Sequence, residues 1–140
     1  MSKISVFTDG GSRGNPGPSA LGVYIEDGNG KKLTAIGKTL GITTNNVAEY
    51  SAIVEAFVWL LANDDSLPSN AKIYFYMDSQ LAYSQLVGLY KIKNEKLRDM
   101  LFQIRKYEAE LGRDVYYAHI PREQNTRADQ MVNLALDNML

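Results

Sequence analysis

The first predicted strand of this chain ends on a carboxylate, and a glycine-rich segment follows at once. Residues 3–9 carry the apolar Ile4, Val6 and Phe7 and close on Asp9, whereas residues 10–18 contain four glycines and two prolines. Glycine lets a backbone approach a ligand closely, and carboxylate oxygens are the ligands that hard cations prefer. The pattern therefore predicts a strand that delivers Asp9 to a cation site beside a phosphate.

Hydrophobic periodicity predicts a mixed α/β domain with the element order βββαβααβα. The first three strands should form an antiparallel meander, and helices should connect the later strands. Strands are expected at 3–9, 20–26, 32–40, 72–78 and 114–120, helices at 45–63, 79–87, 94–111 and 126–139, and loops at 10–18 and 64–69. A length of 140 residues suits a single domain spanning 1–140.

Composition narrows the classes of site that the chain can hold. Cysteine is absent and there is one histidine, so a metal ion would have to be held mainly by oxygen. The net charge of −1 argues against a globally basic nucleic-acid binder. No apolar run approaches the ~20 residues that span a bilayer, and the N-terminus carries no signal-peptide pattern. We therefore expect a cytoplasmic protein with no membrane partner.

Two carboxylates end predicted strands, and each has a purely local alternative role. Asp9 precedes a glycine and could form an Asx turn. Asp78 precedes Ser79 and could cap the following helix. The functional alternative is that both side chains meet at one edge of the sheet, where ligand sites of α/β proteins tend to lie.

Two further carboxylates lie near the starts of predicted helices. Acids there can complement the helix dipole, and the spacing of Asn46 and Glu49 resembles a capping box. Glu49 nevertheless shares a helical stripe with the apolar Phe57, and Asp129 shares one with Val132. A carboxylate on an inward stripe needs a partner. Four such acids at one site would repel one another unless cations such as Mg²⁺ neutralise them.

Four segments, in order, resemble those of type 1 ribonuclease H. The likeness extends over about residues 3–138 and is carried by Thr8–Ser12 with Gly14–Gly17, Thr44–Glu49, Met77–Gln80 and His119–Asp129. The resemblance implies a five-stranded mixed sheet flanked by helices, and cleavage of the RNA strand of RNA–DNA hybrids. It places the four metal ligands of the family on Asp9, Glu49, Asp78 and Asp129.

The resemblance also implies two Mg²⁺ ions, for which Mn²⁺ can substitute. Two divalent ions suit an in-line displacement by water that leaves 5′-phosphate and 3′-hydroxyl ends. Cleavage through the 2′-hydroxyl usually requires a paired acid and base, typically histidines, and this chain has only His119. From the residues alone His119 is a half-exposed loop residue, whereas the resemblance implies an auxiliary role in proton transfer or product release.

A set of polar residues matches positions that bind the substrate in the family. The resemblance implies contacts to 2′-hydroxyls from Asn15, Asn45, Asn46 and Gln80, and further substrate contacts from Gly10, Thr44 and Asn94. Helix capping is the alternative for one of the two adjacent asparagines. The chain departs from many relatives because it lacks a basic protrusion after the Asp78 helix, where Lys91, Lys93 and Lys96 remain.

The expected partner is an RNA–DNA hybrid, bound by a monomeric endonuclease. Two alternatives stay open at this point. Another enzyme of the same fold could act on DNA junctions or as an exonuclease, although the asparagine set argues against it. A non-catalytic hybrid-binding module is the other alternative, which the intact set of four acids disfavours.

Overall fold

Five strands form one mixed sheet, as the sequence predicted. The computed structural model describes residues 2–138. The strands are β1 (Lys3–Ser12), β2 (Gly17–Glu26), β3 (Lys32–Thr43), β4 (Lys72–Met77) and β5 (Val115–His119). The helices are α1 (Asn45–Ala62), α2 (Gln80–Leu86), α3 (Glu95–Leu111) and α4 (Thr126–Leu136), with short 3-10 turns at Asp64–Ser66 and Arg122–Gln124.

The strand order β3-β2-β1-β4-β5 places β1 at the centre of the sheet. β1 pairs antiparallel with β2, and β2 pairs antiparallel with β3. On its other side β1 runs parallel to β4, which in turn runs parallel to β5. The carboxyl ends of β1, β4 and β5 therefore lie at the same edge of the sheet.

The glycine-rich segment is largely strand, so the predicted loop at 10–18 is wrong at both ends. β1 continues to Ser12 and β2 begins at Gly17, and Ser12 pairs with Ser19. Glycine adopts extended backbone as readily as turn backbone, and the long antiparallel partner stabilises the extended form. β3 likewise runs to Thr43 rather than ending at residue 40. α4 ends at Leu136, and residue 139 of the predicted helix lies outside the described residues.

Helices cover the two faces of the sheet unequally. α1, supported by α3, packs on the face that carries Ile4, Val6 and Val23, and this is where most of the apolar core lies. α4 packs on the opposite face, where Val132 and Ala135 contact Ala20 of β2. The acids of α1 and α4 therefore reach the sheet edge from opposite sides.

Backbone contact at a glycine brings α1 against β1. A Cβ atom placed on Gly10 would lie 2.2 Å from the backbone carbon of Ala48 and 2.2 Å from the nitrogen of Glu49. A second contact of this kind joins α4 to β2, because a Cβ on Gly22 would lie 2.2 Å from the carbonyl oxygen of Ala128. These contacts leave no room for a side chain, and each one lies next to a carboxylate of the predicted site.

We expect Gly10→Ala to destabilise the protein by at least about 1–3 kcal/mol, because the added methyl group meets rigid backbone. Urea unfolding followed by far-UV circular dichroism measures this change. Gly28→Ala is the matched control, since a Cβ there would lie 3.6 Å from its nearest neighbour, an ordinary contact. Equal stability of the two variants would contradict the proposed contact.

Candidate active site

All four predicted carboxylates line one cleft at the edge of the sheet, with a volume of about 390 Å³. One oxygen each from Asp9, Glu49 and Asp78 forms a group in which all distances are within 4.8 Å. Asp129 lines the same cleft, although its carboxylate is not within 4.8 Å of all three. The structure therefore brings together a compact group of three acids with a fourth beside it.

Strand register explains why the two strand-borne acids are neighbours. Thr8 pairs with Met77 across the parallel strands β1 and β4. Asp9 follows Thr8 and Asp78 follows Met77, so both carboxylates lie at the same level of the sheet edge. The close approach at Gly10 then places Glu49, near the start of α1, beside them.

Burial and mutual repulsion make these carboxylates hold protons more tightly than usual. Asp9 is 7% exposed and Glu49 is 9% exposed. Burial, followed by the charges of Asp78 and Asp129, raises the pKa of Asp9 from 3.8 to about 7. Burial also raises the pKa of Glu49 well above its ordinary value, and the charges of Asp9 and Asp78 add to the effect. Such a group favours either bound protons or bound cations.

The local alternatives for Asp78 and the asparagine pair do not hold. Ser79 caps α2, since its hydroxyl accepts a hydrogen bond from the backbone nitrogen of Ala82 at 3.2 Å. Thr44, not an asparagine, caps α1 by accepting from the nitrogen of Val47 at 3.3 Å. The predicted cap at Asn45 or Asn46 is therefore wrong. For Asp9, a hydrogen bond at 2.9 Å joins its carboxylate to the nitrogen of Gly10.

Asn125 is a residue of the site to which the sequence analysis assigned no role. Its side chain is fully buried and donates to the carbonyl oxygen of Thr8 at 2.9 Å and to the carboxylate of Asp78 at 3.5 Å. Its backbone carbonyl accepts from the nitrogen of Asp129. One residue therefore connects β1, the end of β4 and the first turn of α4. The only sequence signal was its position four residues before Asp129.

His119 lies at the end of β5 and contacts the backbone of the site. Its Nε2 lies 3.2 Å from the carbonyl oxygen of Asp78. A carbonyl oxygen only accepts, so Nε2 carries a hydrogen in this arrangement and Nδ1 is left for other partners. The ring also lies 6.2 Å from the ring of Tyr83 on α2. The histidine is exposed and does not belong to the group of three acids.

The predicted substrate residues fall into two groups. Those lining the cleft are Gly10, Asn45 and Asn46, and the side-chain oxygen of Asn15 accepts from the backbone nitrogen of Asn45 at 3.1 Å. The others lie outside the cleft lining: Gln80 is exposed at the start of α2, Thr44 caps α1 and Asn94 caps α3.

Two arginines that were not among the predicted site residues also line the cleft. Arg122 lies in the short turn before α4, and Arg13 lies in the β1–β2 hairpin. Arg13 forms an ion pair of 2.5 Å with Asp137, near the end of α4. Neither residue follows a spacing that marks a binding site, so only the fold shows that they face the acids.

Comparison with known proteins shows the family to which the chain belongs. A family model described as reverse transcriptase-like matches residues 7–135. Ribonuclease HI of Halobacterium salinarum is 37% identical over 137 residues, which cover 97% of this chain and 65% of that protein. The solved structure of LC11-RNase H1, isolated from compost, is 42% identical with a TM-score of 0.91, and the match covers 99% of this chain and 98% of that one. The chain belongs to the type 1 ribonuclease H family.

A second structure of that family member contains nucleic acid. LC11-RNase H1 in complex with an RNA/DNA hybrid aligns with a TM-score of 0.90 and 40% identity, covering 96% of this chain and 97% of that one. The chain spans about two thirds of the Halobacterium ribonuclease HI, and only 36% of a matching bifunctional protein of Mycobacterium tuberculosis. Within residues 2–138, no helix combines the length and the apolar character that crossing a membrane requires.

The raised pKa of Asp9 predicts an unusual pH dependence in the absence of divalent cations. The folded state holds a proton that the unfolded chain releases between pH 3.8 and about 7, so the unfolding free energy should fall as pH rises through this range. In EDTA, Asp9→Asn should flatten this fall and be about 1–3 kcal/mol more stable than the parent above pH 7.

Chemical denaturation at a series of pH values checks this prediction. Asp65→Asn is the matched control, because Asp65 is exposed in the short turn after α1 and lies outside the cleft. The control should keep the pH profile of the parent protein. If the unfolding free energy of Asp9→Asn and that of the parent changed with pH in the same way, the pKa of Asp9 would not be raised by burial and nearby charge.

Loss of the Asn125 amide should lower the affinity of the acids for cations more than it lowers the stability of the fold. We expect Asn125→Ala to raise the apparent Kd for Mg²⁺ by about 10–100-fold, as removal of outer-shell partners typically does, and to cost about 1–3 kcal/mol of stability. Calorimetric Mg²⁺ titration together with urea unfolding separates the two effects.

Asn63→Ala is a suitable control for Asn125→Ala. Asn63 also donates its amide to a backbone carbonyl, that of Trp59 at 2.8 Å, but it lies at the other end of α1. We expect a stability loss without a change in Mg²⁺ affinity. An unchanged affinity in Asn125→Ala as well would refute the positioning role.

Proposed function

We propose that this protein is an endonuclease that uses Mg²⁺ to hydrolyse the RNA strand of RNA–DNA hybrids. The observation that carries the proposal is the convergence of Asp9, Glu49 and Asp78 within 4.8 Å, with Asp129 in the same cleft. The hybrid bound to the family member LC11-RNase H1 supports the choice of substrate.

The donor set fits a hard divalent cation. All four candidate ligands are carboxylates, two of them buried, and Mg²⁺ prefers oxygen ligands of this kind. Dications would also relieve the repulsion that raises the pKa of Asp9 and Glu49. We propose two ions, which Mn²⁺ can replace, held by Asp9, Glu49, Asp78 and Asp129. When bound, such ions activate water and stabilise the leaving 3′ oxygen, giving 5′-phosphate and 3′-hydroxyl products.

The polar residues of the cleft are suited to recognise ribose. Reading a 2′-hydroxyl requires neighbouring donors and acceptors, and Asn45 and Asn46, which carry both, line the cleft. Asn15 holds the start of α1 through the backbone of Asn45, and so positions the segment that carries Asn45 and Asn46. We propose that these three residues, with Gln80 and Gly10, contact the RNA strand.

The DNA strand would contact the two helix starts capped by Thr44 and Asn94. Backbone N–H groups at a helix N-terminus bind phosphate readily, and these caps mark the starts of α1 and α3. Arg122, which lines the cleft, adds a positive charge beside the carboxylates. We propose that these groups orient the hybrid in place of the basic protrusion that the chain lacks.

His119 has an auxiliary role in this proposal. Its Nε2 is committed to the carbonyl of Asp78, so Nδ1 is the nitrogen that can accept or release a proton near the site. The exposure of the ring suits a step that exchanges protons with solvent or assists release of the product. We further propose that residues 1–140 act as a single monomeric domain in the cytoplasm.

A panel of labelled nucleic acids tests the proposed function. With Mg²⁺ the protein should cut RNA–DNA hybrid and leave double-stranded RNA, double-stranded DNA and single-stranded RNA intact, and EDTA should abolish cleavage. The products should carry 5′-phosphate and 3′-hydroxyl ends. Cyclic 2′,3′-phosphates would exclude this mechanism, and comparable cutting of double-stranded DNA would favour a junction nuclease instead.

Asp78→Asn is the decisive variant for the same assay. It keeps the shape of the side chain but removes its charge, and we expect activity to fall by at least ~10³, about 4 kcal/mol of transition-state stabilisation. Asp65→Asn should keep full activity, because Asp65 lies on an exposed turn outside the cleft. Substantial Mg²⁺-dependent activity in Asp78→Asn would refute its role as a ligand.

A further inference from the structure

The sheet face on which α4 lies also carries aromatic side chains that the proposed active site does not use. α4 packs against β1, β2 and β3. On the neighbouring strands β4 and β5, Tyr74 and Tyr76 are half-buried and Tyr116 is 43% exposed. This part of the face is not covered by α4 and leaves the ring of Tyr116 exposed to solvent.

The rings form two rows across the strands. Tyr74 pairs with Tyr116 in the register of β4 and β5, and their ring centroids lie 4.9 Å apart at an interplanar angle of 24°. Phe7 pairs with Tyr76 between β1 and β4, and their centroids lie 5.1 Å apart at 24°. Each row is therefore a pair of stacked rings. The two rows are two residues apart along β4.

Two lysines lie directly against these rings. The Nζ of Lys3 is 4.8 Å from the ring centroid of Tyr74 and 5.4 Å from that of Tyr76. The Nζ of Lys72 is 6.0 Å from the centroid of Tyr116. None of the four ion pairs found within residues 2–138 includes either lysine. We call the surface formed by Lys3, Phe7, Lys72, Tyr74, Tyr76 and Tyr116 the tyrosine–lysine face.

The tyrosine–lysine face leads along the strands to the catalytic carboxylates. Side chains two residues apart on a strand share a face, so Phe7 is followed by Asp9 and Tyr76 is followed by Asp78. Lys3 and Lys72 pair with each other at the opposite end. The six residue steps from Lys3 to Asp9 span about 20 Å at ~3.3 Å per residue.

We propose that the tyrosine–lysine face binds single-stranded nucleic acid. Tyr116, the most exposed of the rings, can stack with an unpaired base. Lysines that form no ion pair can neutralise phosphates. A duplex cannot use this surface in the same way, because its bases already stack on one another. Two acids share this face. Glu26 lies beyond Ser5 at the far end of its row, away from the tyrosines. Asp114 lies two residues before Tyr116, beside Lys72 in the register of β4 and β5, but forms no ion pair with it within residues 2–138.

The position of this face suggests what the strand would be. A single-stranded segment that flanks the hybrid would pass from the carboxylates over the two aromatic rows to the lysines. The inference that the strand flanks a bound hybrid rests on the proposed function, whereas the inference that the face binds a free single strand does not. Measuring binding in EDTA, without cleavage, therefore separates a failure of the face from a failure of the proposed activity.

Fluorescence anisotropy with a labelled oligothymidylate of about 12 nucleotides tests the proposal, since surfaces of this type cover about 4–16 nucleotides. In EDTA and low salt, the combined change Tyr116→Ala with Lys72→Gln should weaken binding by about 5–100-fold. Removing one lysine contact should also lower the slope of log affinity against log salt by about 0.7. Tyr116→Phe should retain most of the affinity, because it keeps the stacking ring.

Phe102→Ala with Lys106→Gln is the matched control. Phe102 is 70% exposed, and both residues lie on α3, which packs with α1 on the other side of the sheet. The control should bind the oligonucleotide as the parent does, and circular dichroism should show that all variants are folded. Equal affinities for the face variant and the control would overturn the proposal.

Two further results would also overturn it. If the parent binds a blunt DNA duplex as tightly as the single strand, and the face variant weakens both equally, the lysines act as a general phosphate surface and the rings do not select unpaired bases. If the parent does not bind the single strand but self-associates in sedimentation experiments, and the face variant stays monomeric, a second copy of the chain covers the face.

Discussion

Repulsion among carboxylates held in one cleft is the constraint on which the rest of this structure depends. Asp9 and Glu49 are buried, and burial together with nearby negative charge raises the pKa of both. A fold that gathers these groups without cations loses stability as the pH rises from the ordinary pKa of a carboxyl group towards the raised value, from 3.8 to about 7 for Asp9. The surrounding contacts must therefore be strong enough to hold the acids together before any ion binds.

Backbone packing supplies that strength. Gly10 allows α1 to contact β1 directly, and Gly22 does the same for α4 and β2. Gly10 follows Asp9 and contacts the backbone of Glu49, and Gly22 contacts Ala128, the residue before Asp129. The helices therefore cannot move away from the sheet without opening the core. Asn125 adds the hydrogen bonds that connect the start of α4 to Thr8 and Asp78. The arrangement is a preformed group of acids that could bind cations, stabilised by elements on both faces of the sheet.

The sequence predicted the element order and the four carboxylates because those features are local. Hydrophobic periodicity reports the strands and helices, and the inward stripe of Glu49 was visible in its spacing from Phe57. The extended backbone of residues 10–12 was missed because glycine content alone does not distinguish a loop from a strand that has a long partner. The role of Asn125 could not be predicted either, since its partners are 117 and 47 residues away.

The charge distribution is compatible with the proposed action of an acidic chain on a polyanion. The net charge is −1, but four of the 16 acidic residues line one cleft, where bound cations would neutralise them. Around that cleft, Arg122 lies before α4, and Lys3 and Lys72 lie at the far end of the aromatic rows. A nucleic acid would therefore meet positive charge on either side of a neutralised site. This positive charge is distributed over the sheet and the turn before the last helix.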